Sequence, residues 1–593
     1  MRRAFKFTSL GVAAATAMFT WGMAAGTGVA TASSTAAPPG AQPIVRVGKV
    51  NVRALPGADR ALSLPGRAAV EKPEPAASAA NTIPVPNPPN SPVTMANPGA
   101  IGFNGINAVT SARKNGFDVE PPDLGLCASH GVVMEQVNLA VRIYTDAGAA
   151  LTRPVSLNDF FAQRPAFDPA TKKFGPFLSD PRCYYDPQVG RWFSTALEID
   201  VNPSTGALAR RSSLLIAVSS TSDAAGDYAI FAVNTTDDGR GGSRRLPHCP
   251  CFGDQPRIGA DANGFYVSTD IYPIKGLFNS NGGALYALSK TGLAAAAAAD
   301  VPLPTLVNIH VGATTIQGFP ANALQPAQTP PRGVYAPNTE YFLSTPDFNG
   351  FATSGGKGAQ AVVVWALTGT QTLNRPTPDV HLSHDLVPSE PYAPPVAARQ
   401  KPGPHPLGTK LDKPLPKVSV NDDRMQQVVY TAGMLTSSLN TGAGATGTAT
   451  RSAVAWFMLR PTVGAAGVTA TMDGQGYVAV AGASLAYPAV GLNATGTGAM
   501  VFTLIGQNYW PSAAYLAFDR SGPHNPVRVN GPGAAPEDGF TCYPPYSHGT
   551  CRWGDYSAAV AEDGAIIMGT EYIPGPRDMN ANWGTFLTRY SPL

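Results

Sequence analysis

From residue 118 onward the chain is built of short apolar runs bounded by Gly, Pro, Asn and Asp, with few long amphipathic helices expected. LLIAVSSTSD, DYAIFAVNTT, GALYALSK, AVVVWALTG, SAVAWFMLRP, AAYLAFDR and WGTFLTRYSP are rich in Val, Ile, Tyr, Phe and Thr and end in Gly, Pro, Asn or Asp, the pattern of strands. Four stretches share an order: SDPRCYYDPQVGRWF (179–193), FGDQPRIGADANGFYVSTD (252–270), TMDGQGYVAVAG (471–482) and CRWGDYSAAVAEDGAIIMGTEY (551–572). In three of them an aspartate (Asp180, Asp254, Asp555) precedes a short apolar strand, a turn follows, and a second strand opens on Trp192, Phe265 or Ala565. The third shows only the turn and the second strand.

Such units recur near 120–160, 178–236, 252–296, 331–372, 420–462, 468–520 and 550–593. Sheets of about four strands that cannot bury both faces alone stack radially as propeller blades. A β-sandwich closes within about 100 residues, so repetition over 118–593 predicts an all-β fold, a β-propeller of seven blades of antiparallel strands. The regions outside it read differently. Residues 33–117, dominated by Ala, Pro, Ser and Asn, lack the periodicity of a core and are expected to be a largely disordered leader. A second Pro-rich run, 375–417, is expected to be a surface insertion, because proline donates no ladder hydrogen bond. Residues 1–32 carry two arginines, an apolar small-residue stretch and Ala30-Thr31-Ala32, which fits an export signal cleaved near Ala32. The chain is thus expected to be secreted, periplasmic or on the cell surface, with no stable membrane span after cleavage.

Composition narrows the function. There are 42 basic against 39 acidic residues, spread rather than clustered, which excludes a nucleic-acid surface. Six cysteines suit an oxidising compartment. Cys542 with Cys551 and Cys127 with Cys183 are the expected pairs, while Cys249-Pro250-Cys251 is left between a bridge and a metal ligand. Gly442-Ala443-Gly444-Ala445-Thr446-Gly447 matches a dinucleotide fingerprint in letters only, since no helix pattern follows it.

Pro121-Pro122-Asp123 with Gly125, Gln136-Val137-Asn138, Ser179-Asp180-Pro181, Arg191-Trp192-Phe193, Trp553-Gly554-Asp555-Tyr556-Ser557 and Glu571-Tyr572 carry a resemblance. Over 118–593 the chain resembles exported bacterial seven-bladed, sialidase-like β-propellers, a group without a settled activity. The Ser-x-Asp-x-Gly-x-x-Trp box of true sialidases is missing.

In such a ring each innermost strand starts at one mouth of a central channel. Asp123, Asp180, Asp254 and Asp555, with Asp423 as a fifth, are therefore expected to converge there, where like charges raise carboxyl pKa values or recruit a cation. Hard oxygen ligands would make that cation calcium or magnesium rather than zinc. The competing reading is that each aspartate fixes a turn by accepting main-chain hydrogen bonds. Arg182 and Arg257 follow at spacings that place them near the same mouth, suited to a carboxylate or sulfate on a sugar. Tyr543, Tyr546 and Trp553, in and after the loop CYPPYSHGTC, offer stacking faces, and His548 a base. The expected function is binding or cleavage of an extracellular carbohydrate at this acidic mouth. A hydrolase would use two of Asp180, Asp254, Asp555 and Glu571; a lyase would use His548 or a tyrosine as the base. The alternative is a non-catalytic binding or adhesion scaffold.

Overall fold

A computed structural model describes residues 40–64, 66–68, 83–275, 280–346, 358–547, 549–577 and 579–592. The expected signal segment, 1–32, lies outside the described residues. Among the described residues, no helix is long and apolar enough to cross a membrane.

Seven antiparallel sheets follow one another along the chain. Their innermost strands are Gly125–Ser129, Phe177–Asp186, Cys251–Ala260, Gln325–Gln328, Val428–Thr431, Ala483–Leu492 and Ala558–Glu562, which open blades 1 to 7 in that order. Each innermost strand contacts the next, and that of blade 7 contacts that of blade 1, so the ring is closed. Where neighbouring innermost strands pair directly they run parallel, Ala260 beside Gln328 and Ala327 beside Val428.

Packing gives the same count. A sheet apolar on both faces must cover both, and seven separate apolar cores lie one between each pair of adjacent blades. Met134 and Ile143 meet Trp192 and Leu215 between blades 1 and 2, Phe193 and Ile216 meet Phe265 and Val267 between blades 2 and 3, and Tyr266 and Ile309 meet Phe342 and Trp365 between blades 3 and 4. The series continues through Leu343 with Phe457, Trp456 with Phe502, and Val501 with Met568. It returns to blade 1 where Ile567 and Leu587 meet Leu126 and Val133.

The ring is sealed by an early strand. Blade 7 contributes three strands from its own region, and its fourth, Ala100–Asn107, pairs antiparallel with Gly584–Tyr590. Earlier segments cap other blade edges: Ile44–Asn51 adds to blade 2, Gly40–Gln42 to blade 3 and Val93–Thr94 to blade 6. The described part of 33–117 thus differs from the expected disordered leader. It has no core of its own, but main-chain pairing with blade edges supplies one, and it removes unpaired edges that invite aggregation.

Three boundaries are corrected. Gln325-Pro326-Ala327-Gln328 is the innermost strand of blade 4 although it lacks an apolar run. His381–Tyr392, inside the predicted insertion, is that blade's outermost strand. Its Pro388 and Pro391 are tolerated because the outermost strand has only one ladder to satisfy. Gly467–Val478 completes blade 5 by pairing with Arg451–Gly464, so the turn at 471–482 belongs to no new unit.

Both expected disulfides are present, and Cys249 bonds to Cys251. Cys127–Cys183 joins the innermost strands of blades 1 and 2 across 56 residues. Replacing both cysteines by alanine is expected to lower stability by about 2–4 kcal/mol, from the loop entropy released to the unfolded chain. Equilibrium denaturation of the oxidised wild type and the double variant measures it.

Candidate functional site

The start of an innermost strand faces one mouth, and in three blades it carries the same irregularity. Register skips between Ser179 and Arg182, between Asp254 and Arg257, and between Ala486 and Ala489. Each skip is a two-residue bulge, Asp180-Pro181, Gln255-Pro256 or Tyr487-Pro488. Its first residue has a left-handed φ of 54°, 47° or 54°. A bulge re-aims side chains at a strand end. Asp123 and Asn421 adopt the same φ region, 44° and 58°, at the entries to blades 1 and 5.

This register corrects one expectation. The residue equivalent to Asp180 is Gln255, not Asp254. Asp254 holds the place of Ser179, one residue earlier, and pairs across the ladder with Asp270. In a strand one position is the difference between two faces.

The mouth residues do converge, through a blade-to-blade latch. Asn138 of blade 1 accepts the Asp180 N–H at 3.1 Å and donates to Asp123 at 2.6 Å. Asp180 accepts the Gln255 N–H at 3.1 Å, Asp270 accepts that of Ala323 at 2.7 Å, and Asn440 accepts that of Tyr487 at 2.8 Å. Asp123 accepts the Asp555 N–H at 2.6 Å. The Gln255 amide donates to Asp555 and accepts from Arg257 and Arg424. Glu571 accepts the Gly554 N–H at 2.6 Å. Asp123, Asp180, Asp254, Asp555 and Glu571 are all buried. Burial, with Asp555 and Asp180 alongside, pushes the Asp123 carboxyl well above the usual carboxylate range. Burial and then Glu537 do the same to Glu571. The main-chain N–H groups that Asp123 and Asp180 accept belong to neighbouring blades, so each carboxylate ties two blades together rather than closing its own turn.

Beneath this ring runs the channel. Its upper part is lined by Leu126, Arg182, Arg257, Gln325, Gln427 and Val560, and its lower part by Tyr184, Gln328, Pro330, Gln427 and Leu492. Among the described residues, no aspartate or glutamate lines either part. Arg257 is 1% exposed and binds Asp270 at 2.7 Å, yet its Nε and Nη1 are buried with no protein partner. Arg182 stacks on the Tyr556 ring, and its Nε likewise lacks a partner. Burial lowers the Arg182 pKa, with Arg257 nearby adding to the effect, although Tyr556 and the mouth aspartates oppose it.

The aromatic side chains expected to face a sugar also pack and bond within the protein. Trp553 is buried in the core between blades 7 and 1, its indole N–H directed to Thr503. Tyr543 is buried, donating its hydroxyl to Asp538. Tyr546 donates to the Gly66 carbonyl and packs edge-on against Phe540. The apolar bodies of these rings are worth more in packing than in solvent. His548 lies outside the described residues. Among the described residues, three His, Cys, Asp or Glu groups converge only at Glu537, Cys542 and Cys551, and those sulfurs are bonded to each other.

Sequence reading missed Gln255, Asn138, Asn440 and the channel glutamines. A recurring x-Pro pair at Asp180-Pro181, Gln255-Pro256, Gln325-Pro326 and Tyr487-Pro488 was the available signal.

No protein-family model matches the chain, and no curated protein matches it. Among solved structures it is similar to Trypanosoma rangeli sialidase, with 8% identity and a TM-score of 0.32 over 70% of this chain and 54% of the sialidase. It is also similar to the N-terminal domain of Nup159 (8%, TM-score 0.31, 85% and 100% covered) and to Penicillium chrysogenum α-L-arabinanase (11%, 0.28, 69% and 92%). The chain spans about half the length of that sialidase. The seven-bladed ring rests on the strand pairing and the seven interblade cores.

Proposed function

We propose that the protein binds an acidic extracellular glycan, holding a carboxylate or sulfate of the sugar against Arg182 and Arg257 in the central channel. One observation carries the reading: two arginines line the same channel with buried nitrogens that no protein group accepts. An unpaired buried donor is costly unless a ligand completes it, and guanidinium groups match carboxylate and sulfate oxygens. Gln325, Gln328 and Gln427 add neutral donors and acceptors suited to hydroxyls. The reading is one of binding, and the carboxyl groups nearest the channel are those of the mouth above it.

The test is calorimetry against uronate-containing, sulfated and neutral oligosaccharides, with product analysis for turnover. Arg182→Met is expected to weaken binding of the acidic sugars at least about tenfold, the loss of one charge-assisted hydrogen bond. Its thermal unfolding, measured in parallel, separates lost binding from the loss of the Tyr556 stack that Arg182 makes. Equal affinity in wild type and Arg182→Met would remove the channel arginines from the site.

A further inference from the structure

We propose that Glu120 and Glu537 form a proton-sharing carboxyl pair that latches the disulfide loop leading into the mouth and releases it as pH rises. Both side chains are 2% exposed. They converge on Gly539, where a β-carbon would lie 1.7 Å from Glu120 Oε1 and 2.6 Å from Glu537 Oε1, so two carboxyl groups face each other across a gap only glycine leaves. Each also holds the loop main chain: Glu120 accepts the Thr541 N–H at 2.9 Å and Glu537 the Gly539 N–H at 2.7 Å. Glu120 Oε1 and Glu537 Oε2 have no other partner.

Two ionised carboxylates flanking one glycine repel, and no ion pair neutralises either one among the described residues. A single proton resolves this: the O–H of one group donates to the carboxylate of the other, and the pair titrates as a unit. The surrounding charges favour retaining it. Asp118, Asp538 and Glu571 add negative charge around the pair, and Arg577 is the nearby cation. Burial first pushes both carboxyl groups up, Glu537 to about 8. A carboxyl raised in the fold contributes stability that is complete below its unfolded pKa, near 4.5, and is lost as pH rises through the folded value. Loss of the proton is thereby coupled to the mouth. Thr541 accepts from the Arg552 N–H, Cys542 is bonded to Cys551, and Asp555 follows three residues after Arg552. The consequence for ligand binding rests on the channel reading above; the titration of the latch does not.

Hydrogen exchange of the full-length protein, read on peptides spanning 537–547 and corrected for intrinsic rates, tests the latch. Between the open-state pKa, near 4.5, and the pair's apparent pKa in the fold, local opening in wild type should rise about tenfold per pH unit, the response to one proton, and it should level off above that apparent pKa. Glu120→Gln places a permanent donor beside the Glu537 carboxylate and should abolish that slope. A slope unchanged in Glu120→Gln, or no slope in wild type between pH 6 and 9.5, overturns the proposal. Should Glu120→Gln fail to fold, Glu537→Gln and the wild-type slope decide by the same criteria. Weakened binding at pH 9 with an unchanged exchange slope would contradict the latch alone, whereas a latch that titrates without any glycan binding would contradict only the channel reading.

Discussion

Ile106→Asp is expected to cost about 4 kcal/mol or more and to prevent a monomeric ring at ordinary temperatures. Ile106 is fully buried in Ala100–Asn107, the strand that closes blade 7, and it packs in the core shared with blade 1. Its N–H is held at 2.9 Å by Glu135, a carboxylate that also accepts from Tyr144 at 2.9 Å and from Thr585. A second buried carboxylate there would be both unsolvated and beside a like charge. Because a ring of blades shares its cores, losing the closing strand exposes an edge on blade 7 and one face of blade 1. Size-exclusion chromatography and denaturant titration should show aggregation or a much lower midpoint. A folded monomer with a midpoint near wild type would mean that the ring does not depend on this closure.

The second large effect concerns the opposite end of the ring. Lys290, at the start of the helix Lys290–Ala298, is fully buried with Asp186, and their charges lie 2.7 Å apart. Its remaining donors reach Gln188 at 2.9 Å and the Asp261 carbonyl at 2.6 Å, so one ammonium joins the hairpin of blade 2 to that of blade 3. Lys290→Met is expected to cost about 3–5 kcal/mol by leaving the Asp186 charge buried and unpaired. The double variant Lys290→Met with Asp186→Leu should recover most of that loss, since replacing both partners with apolar groups is often near neutral. Chemical denaturation of the four proteins in the cycle gives the coupling directly. A double variant as unstable as the single one would place the cost in lost packing rather than in the stranded charge.

How much of this was legible in the sequence follows from what each element requires. Strands with an apolar run, such as CYY at 183–185 in the innermost strand of blade 2 and YVS at 266–268 in the second strand of blade 3, announce themselves. Gln325–Gln328 was not legible, because a strand flanked by neighbouring blades and polar on its channel side needs no apolar period. Ala100–Asn107 was hidden for a related reason. Its stability comes from pairing with residues nearly five hundred positions away, which no local pattern reports. Asp123, Asp180 and Asp555, singled out in the sequence, come together in the fold, whereas Gln255 rather than Asp254 stands where Asp180 does in the register. A bulge shifts which residue faces the axis, and the sequence marks it only by the proline that follows. The packing of Trp553 and Tyr543 was not legible, because composition does not tell a ring that packs from one that waits for a ligand.

The channel arginines are the center of this account, and the structure of a complex tests them most directly. A crystal structure with a uronate-containing or sulfated oligosaccharide should place the acidic group within about 2.7–3.1 Å of guanidinium nitrogens of Arg182 and Arg257. An acidic sugar found only on the outer blade edges, or seated in the channel with its carboxylate or sulfate away from both arginines, would contradict it.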